Sequence, residues 1–175
     1  DLYRPYKEKK KTKATDAINN GLEPLAKMIM AFPTSGSYER LTQKFLNDKV
    51  KTIDDALTGA KYIIAEYISD NAYYRKYIRN FIYHNGLIKT KKKKNDLDQE
   101  KIYEMYYDYE EPIKYVKPHR ILAINRGEKE DVLSVNLVID NDKIMEYLSS
   151  KIIKNKDSFV SELVDEAIKD SYKRL

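Results

Sequence analysis

Residues 117–139 of the chain read KPHRILAINRGEKEDVLSVNLVI, and this stretch joins a short helix to a strand. Pro118 suits the first position of a helix, where a missing N–H costs nothing, and Gly127 can take the left-handed conformation that ends one. After the glycine, apolar residues alternate with the period of two that is typical of a strand. We therefore expect a helix from Pro118 to Gly127 followed by a strand over 132–139, whose core-facing residues are Leu133, Val135, Leu137 and Ile139.

Two further helical patterns lie upstream of this stretch. Between residues 53 and 68, apolar side chains recur every three or four positions after Thr52, which suits an N-cap. A second pattern covers 71–84, with Asp70 as its expected cap. Two helices joined by so short a turn have the outline of a helix-turn-helix, in which the second helix enters the major groove of DNA. The alternative is an ordinary pair of amphipathic helices.

Convincing strand patterns occur at 87–92 and 132–139, and we expect them to pair as an antiparallel ribbon that packs on the helices. The predicted fold class is mainly α, a multi-helix domain with helix-turn-helix character and a small two-stranded antiparallel β-ribbon. The expected organisation has three parts: an extended basic segment with short helices over 1–50, a helix-turn-helix-like core with the ribbon over 51–140, and C-terminal helices over 141–175.

Composition excludes several classes of protein. The 175 residues are 42% hydrophobic and 35% charged, which is typical of a helix-rich globular protein. There is no cysteine, so disulfides and thiolate metal sites are excluded and a cytoplasmic location is expected. Since no run approaches the roughly 20 apolar residues that a membrane span needs, we expect no membrane partner.

The net charge of +5 is unevenly distributed. A block of lysines from Lys91 to Lys94 is followed by an acidic, tyrosine-rich stretch over 96–111. Adjacent blocks of opposite charge are typical of a solvated loop that neutralises itself. The alternative is a loop that contacts phosphates, because clustered lysines attract nucleic acid without regard to its sequence.

The helix expected over 71–84 carries a second group of cations. Arg75, Lys76 and Arg79 all fall off its apolar stripe, so they form an exposed basic face. The candidate nucleic-acid-binding residues are therefore Arg75, Lys76, Arg79, Lys91, Lys92, Lys93 and Lys94. The alternative to nucleic-acid binding is that these arginine and lysine side chains only make the exposed surface of the helix soluble.

No group of residues indicates catalysis. The two histidines, His84 and His119, are far apart in the sequence, and the glycines are isolated from one another. We expect no enzyme activity, no cofactor and no metal site. Sixteen tyrosines suit a protein-interaction scaffold, because tyrosine combines a large apolar area with a polar tip. The alternative explanation for the many tyrosines is that tyrosine is used in this chain at positions where other proteins have phenylalanine.

Several short motifs carry a family resemblance along the whole chain. In order they are Tyr3-Arg4-Pro5-Tyr6-Lys7, Gly21-Leu22-Glu23-Pro24-Leu25-Ala26, Ala56-Leu57-Thr58-Gly59-Ala60, Asp108-Tyr109-Glu110-Glu111-Pro112, His119-Arg120-Ile121-Leu122-Ala123, Asn125-Arg126-Gly127-Glu128 and Asp170-Ser171-Tyr172-Lys173-Arg174-Leu175. With these motifs the chain resembles the Tex family of bacterial transcription accessory proteins, and specifically the helical N-terminal region of that family.

The resemblance implies a multi-domain cytoplasmic protein that binds nucleic acid in transcription and catalyses no reaction. It implies a helical N-terminal region with helix-turn-helix character, then a ribonuclease-H-like domain, helix-hairpin-helix elements and an S1 RNA-binding domain. The expected partners are RNA or DNA, bound through the parent protein, and the transcription machinery. The alternative is a helical scaffold that only docks neighbouring domains or that machinery.

Overall fold

The computed structural model describes residues 12–174, which group into two compact units. The first unit comprises the chain up to Arg75 together with the chain from Met145 onward, and the second is Lys76–Ile144. The expected three-part division at residues 50 and 140 is a different one and stays a prediction. The basic segment expected to be extended lies largely outside the described residues.

Within the described residues, five α-helices precede the first strand, one α-helix lies between the second and third strands, and two α-helices follow the third strand. In chain order they are α1 (Lys13–Asn19), α2 (Glu23–Met30), α3 (Tyr38–Thr42), α4 (Ile53–Ser69), α5 (Ala72–Asn85), β1 (Leu87–Lys92), β2 (Asp108–Pro112), α6 (Pro118–Lys129), β3 (Leu133–Val138), α7 (Asn141–Ile152) and α8 (Ser161–Tyr172). The mainly α fold class is confirmed. No helix among residues 12–174 is long and apolar enough to cross a membrane.

The first unit is built around α4, against which α1, α2, α3 and α8 pack. Thr52 caps this helix as predicted, because its side chain accepts a hydrogen bond of 3.0 Å from the Asp55 N–H. Ile63 and Ile64 are completely buried. Leu22, in the connection between α1 and α2, packs directly against Gly59 of α4. A Cβ atom at Gly59 would stand 2.3 Å from Leu22 Cδ1. A glycine on α4 therefore permits this packing.

The second unit contains an antiparallel sheet in the order β2-β1-β3, and α6 packs against β3. The predicted pairing of the two ribbon strands is confirmed, with Thr90 opposite Val135. A third strand, β2, joins the other edge of β1 and places Glu110 opposite Lys89. A 3₁₀ turn at Glu104–Tyr106 precedes this third strand, which the sequence pattern did not indicate.

The end of α6 differs from the prediction. Gly127 does not end the helix; it lies inside it, buried, where a Cβ atom would stand 2.4 Å from Leu133 Cδ1. The left-handed residue is Asp131, with φ of 64°. Val132 N–H donates to the Gly127 carbonyl over 2.9 Å, which closes the helix in a Schellman arrangement. Gly127 is thus required for close packing rather than for the turn.

Candidate nucleic-acid interface

Helix α5 carries the first group of candidate residues. Asn71 directly precedes its first residue and caps it, because the Asn71 side-chain oxygen accepts hydrogen bonds from the N–H groups of Tyr73 (2.9 Å) and Tyr74 (3.1 Å). The prediction that Asp70 caps this helix is wrong, since Asp70 is the residue that ends α4. The helix contains no glycine, proline, aspartate or glutamate. It therefore combines regular helical structure with a positive charge that no acid of its own offsets.

The three cations of α5 lie on one side of the helix. Arg75, Lys76 and Arg79 are all exposed. At about 100° per residue they fall within roughly 100° of the helix circumference. None of them forms an ion pair with another residue among 12–174. We refer to Arg75, Lys76 and Arg79 as the α5 basic face.

Exposed aromatic and amide side chains accompany this basic face. Tyr83 falls between Lys76 and Arg79 on the helix and is 51% exposed, and Tyr73, near one edge, is 83% exposed. Asn80 is exposed beside them. Sequence reasoning missed these tyrosines as candidates, although the 3.6-residue period places them with the cations. Cations with interleaved aromatic side chains are the combination that binds phosphates and unstacked bases.

The lysines of the Lys91–Lys94 block do not form one surface. In β1, successive side chains alternate between the two faces of the sheet. Lys91 is exposed beside Lys89, on the face away from Thr90, and stands opposite Asp108 of β2. Lys89 in turn lies 4.0 Å from the Glu110 carboxylate. The charges on this sheet face are therefore mixed.

The next two lysines are engaged in local contacts. The Lys92 ammonium donates to the Asn95 carbonyl over 2.8 Å and lies 5.8 Å from the centre of the Tyr107 ring. Lys93 forms an ion pair with Asp131. Lys94 is exposed. Two of the four lysines thus stabilise the loop itself, while Lys91 and Lys94 remain exposed.

The loop after β1 is held by one buried carboxylate, that of Asp98. It accepts hydrogen bonds from the N–H groups of Ile102 and Tyr103, both 2.9 Å, and from the Tyr107 hydroxyl, 2.7 Å. Burial alone would raise the pKa of Asp98, but these hydrogen bonds outweigh it and the pKa is lowered. The same hydrogen bond, with burial, raises the pKa of Tyr107 to about 12. The loop is therefore an ordered structure.

Two further contacts join the two ends of α6 to the acidic stretch that precedes it. The Arg120 guanidinium lies 3.2 Å from the Glu111 carboxylate, which also accepts a hydrogen bond from the Tyr109 hydroxyl. This ion pair joins α6 to β2. Tyr103 donates to Glu130 over 2.6 Å. His84 and His119 are exposed, and no group of three or more metal-ligating side chains occurs among residues 12–174.

A family model described as Tex central region-like matches residues 34–169, more than half of the chain. That description refers to a central region, whereas the motif resemblance placed the chain in the N-terminal helical region. Among curated proteins, the chain is 49% identical over 178 residues to YdcI of Bacillus subtilis (strain 168), which is described as uncharacterized. This match covers 100% of the chain and 25% of the relative.

More distant relatives have informative names. The chain is 32% identical to the transcriptional accessory protein Tex of Neisseria gonorrhoeae, over 81% of the chain and 19% of that protein. It is 31% identical to the human S1 RNA-binding domain-containing protein 1, over 98% of the chain and 18% of that protein. The chain therefore spans a quarter or less of the length of these relatives.

Proposed function

The chain belongs to the Tex family, as the resemblance predicted, and on this premise we propose that it contacts nucleic acid through the α5 basic face. The proposed role is that of one segment of a Tex-like transcription accessory protein. It is a binding role without catalysis, performed in the cytoplasm and without a membrane partner. The names of the relatives, with their transcriptional and RNA-binding descriptions, are in keeping with it.

The observation that carries the proposal is the composition of α5. Its exposed side has three cations and two exposed tyrosines, and the helix has no acidic residue. Phosphate groups are attracted to such a surface, and each contact releases counterions from the nucleic acid. Arginine adds geometric fit, since its planar guanidinium donates two parallel hydrogen bonds to one phosphate.

The connection between α4 and α5 supports a helix-turn-helix role as part of the same proposal. Only residues 70 and 71 separate the two helices. In a helix-turn-helix the second helix is the one that reaches nucleic acid, and here the second helix is the one with the basic face. Both DNA and RNA are candidate ligands, because phosphate attraction does not distinguish between them.

A second candidate function is a scaffold that docks neighbouring domains or the transcription machinery. The observation that favours it is the ordered loop between β1 and β2, on which Ile102 is 69% exposed and Leu97 is 63% exposed. Met105 of the same loop is 56% exposed. If these side chains form one contiguous apolar patch, they have the character of a protein-binding surface. The internal pairing of Lys92 and Lys93 also favours this candidate over a phosphate-binding loop.

The test is a salt titration of the chain with labelled single- and double-stranded DNA and RNA. The affinity of the wild-type chain should fall steeply with salt. Replacing Arg75, Lys76 and Arg79 together by alanine should weaken binding and reduce the slope of log K against log salt by roughly two to three, since each phosphate contact in duplex DNA contributes roughly 0.9.

A matched control removes the same charge elsewhere in the chain. Lys44, Lys49 and Lys51 are exposed, and their joint replacement by alanine should leave the slope nearly unchanged. If both triple variants change the slope equally, the attraction is a property of net charge and the α5 proposal fails. If the wild-type chain does not bind at low salt, the scaffold is the better function.

A further inference from the structure

A second feature of the first unit is a pocket where the C-terminal ends of α4 and α7 and the first turn of α5 come together. Its volume is about 250 Å³. Its aliphatic lining consists of Met30, Ile68 and Ile152. The groups that are able to recognise a ligand are two phenols, one amide and two ammonium groups, which belong to Tyr67, Tyr74, Asn71, Lys151 and Lys154. No carboxylate lines the pocket.

The aromatic side chains of this pocket are held in place. The Tyr67 hydroxyl donates to Glu23 Oε1 over 3.1 Å, while the ring is 41% exposed. Tyr74 is half-buried in the first turn of α5. Burial raises the pKa of both phenols above the ordinary value of 10.0. The nearby Glu23 carboxylate is itself paired with Lys27 at 3.7 Å, which offsets its charge.

The polar groups around the rings leave donors available. Asn71 uses its side-chain oxygen to cap α5, which fixes its orientation, and its amide NH₂ has no partner among residues 12–174. Lys151 lies 5.9 Å from the centre of the Tyr147 ring, and Lys154 is exposed. Neither lysine forms an ion pair with another described residue. The lining of the pocket thus includes two tyrosine rings, a hydrogen-bond donor and two cations.

We propose that this pocket receives one unpaired nucleobase of a single-stranded nucleic acid, with Lys151 and Lys154 contacting the adjoining phosphates. The inference rests on the proposed nucleic-acid binding and adds the kind of strand that is bound. A base is a flat ring with polar edges, which suits the tyrosine rings and the Asn71 amide. The bases of an intact duplex are stacked and paired, so they do not enter a pocket of this kind.

The pocket and the α5 basic face lie close enough along α5 for one strand to contact both. Asn71 and Tyr74 belong to the start of the same helix as the basic face, and Tyr74 precedes Arg75 directly. A base held at the pocket would therefore have its backbone close to the first cation of the basic face. The attraction of the α5 basic face for phosphates does not distinguish single strands from duplexes, and the pocket would add selectivity for unpaired strands.

The test measures the binding of fluorescent single-stranded and duplex oligonucleotides of one sequence by anisotropy. Tyr74→Leu should weaken single-strand binding roughly ten-fold, since stacking on an aromatic side chain contributes about this much per base, and should leave duplex binding unchanged. Tyr74→Phe keeps the ring and should bind like the wild-type chain. Tyr115→Leu removes an exposed tyrosine of the second unit and serves as a matched control.

A second variant avoids the question of folding, because it changes only exposed side chains. Joint replacement of Lys151 and Lys154 by glutamine should weaken single-strand binding more than duplex binding. If Tyr74→Leu and the glutamine variant both bind single strands like the wild-type chain while the α5 triple variant binds weakly, the pocket inference is wrong and the proposed function stands. If the wild-type chain binds neither strand form at low salt, both are wrong.

Discussion

Tyr107 donates a hydrogen bond of 2.7 Å to the Asp98 carboxylate, and this contact closes the loop that follows β1. The two residues are nine positions apart, and two backbone N–H groups, of Ile102 and Tyr103, bind the same carboxylate. A loop that contains a run of lysines and many acids is therefore ordered around one buried anion. This relationship also explains why the lysine block and the acidic stretch belong to one structural unit.

The first prediction concerns the pH dependence of stability. The pKa of Asp98 is lowered in the folded chain, so its contribution is present above the ordinary pKa of 3.8 and is lost as the pH falls through the folded value. The pKa of Tyr107 is raised to about 12, so its contribution is present below 10.0 and is lost as the pH rises toward 12. Urea unfolding across these ranges measures both effects.

Variants of the same pair provide the control. Asp98→Asn should lower the urea midpoint at neutral pH and make it less sensitive to acid than that of the wild-type chain. Tyr107→Phe should lower it less, because the two backbone hydrogen bonds to Asp98 remain. An acid dependence of Asp98→Asn equal to that of the wild-type chain would show that the carboxylate does not organise the loop.

The second prediction concerns the contact between α6 and β3. Alanine normally stabilises a helix interior relative to glycine by up to about 1 kcal/mol. At Gly127, however, a Cβ atom would stand 2.4 Å from Leu133 Cδ1 and 2.8 Å from its Cγ, so Gly127→Ala overpacks the core. We expect a loss of about 1–3 kcal/mol in the free energy of unfolding.

The helix itself offers a matched control for this variant. Asn125→Ala changes an exposed position of α6, and it should be neutral or slightly stabilising. In the double variant Gly127→Ala with Leu133→Ala, the clash is relieved, so the two losses should not add. Full additivity in urea unfolding would argue that the two side chains do not meet.

The third prediction concerns the strand that sequence reasoning did not find. Lys91 of β1 stands opposite Asp108 of β2. Lys91→Glu places two like charges opposite each other and should destabilise the sheet by about 0.2–1 kcal/mol. Adding Asp108→Lys restores an opposite pair and should recover most of the loss. The thermal midpoints of the three chains measure this, and no recovery in the double variant would speak against the β1–β2 register.

The sequence predicted the elements that local patterns determine. Helix α4 follows from its apolar period and from the Thr52 cap, and the pairing of β1 with β3 follows from their alternation. Strand β2 was missed because Asp108–Pro112 is acidic and ends in proline, so its local preference opposes a strand. Its partner residues on β1 supply the missing stabilisation, and they are about twenty positions away in the sequence.

The candidate sites show the same division between local and distant information. The basic face could be predicted because Arg75, Lys76 and Arg79 belong to one helix and the helical period alone groups them. The pocket could not, because Tyr67, Tyr74 and Lys151 come from separate segments that only the folded first unit brings together. Gly127 was misassigned for a related reason. Glycine suits both a helix end and a close contact, and only Leu133 distinguishes the two.

The most direct test of the central claim is to map which surface touches a bound nucleic acid. A photo-crosslinking benzoylphenylalanine at Asn80 would lie beside the α5 basic face. One at Asn136 would lie in β3, at the position paired with Lys89 of β1. Both positions are exposed. With a labelled oligonucleotide at low salt, we expect a strong crosslink at position 80 and little at position 136. A crosslink at 136 without one at 80 would contradict it.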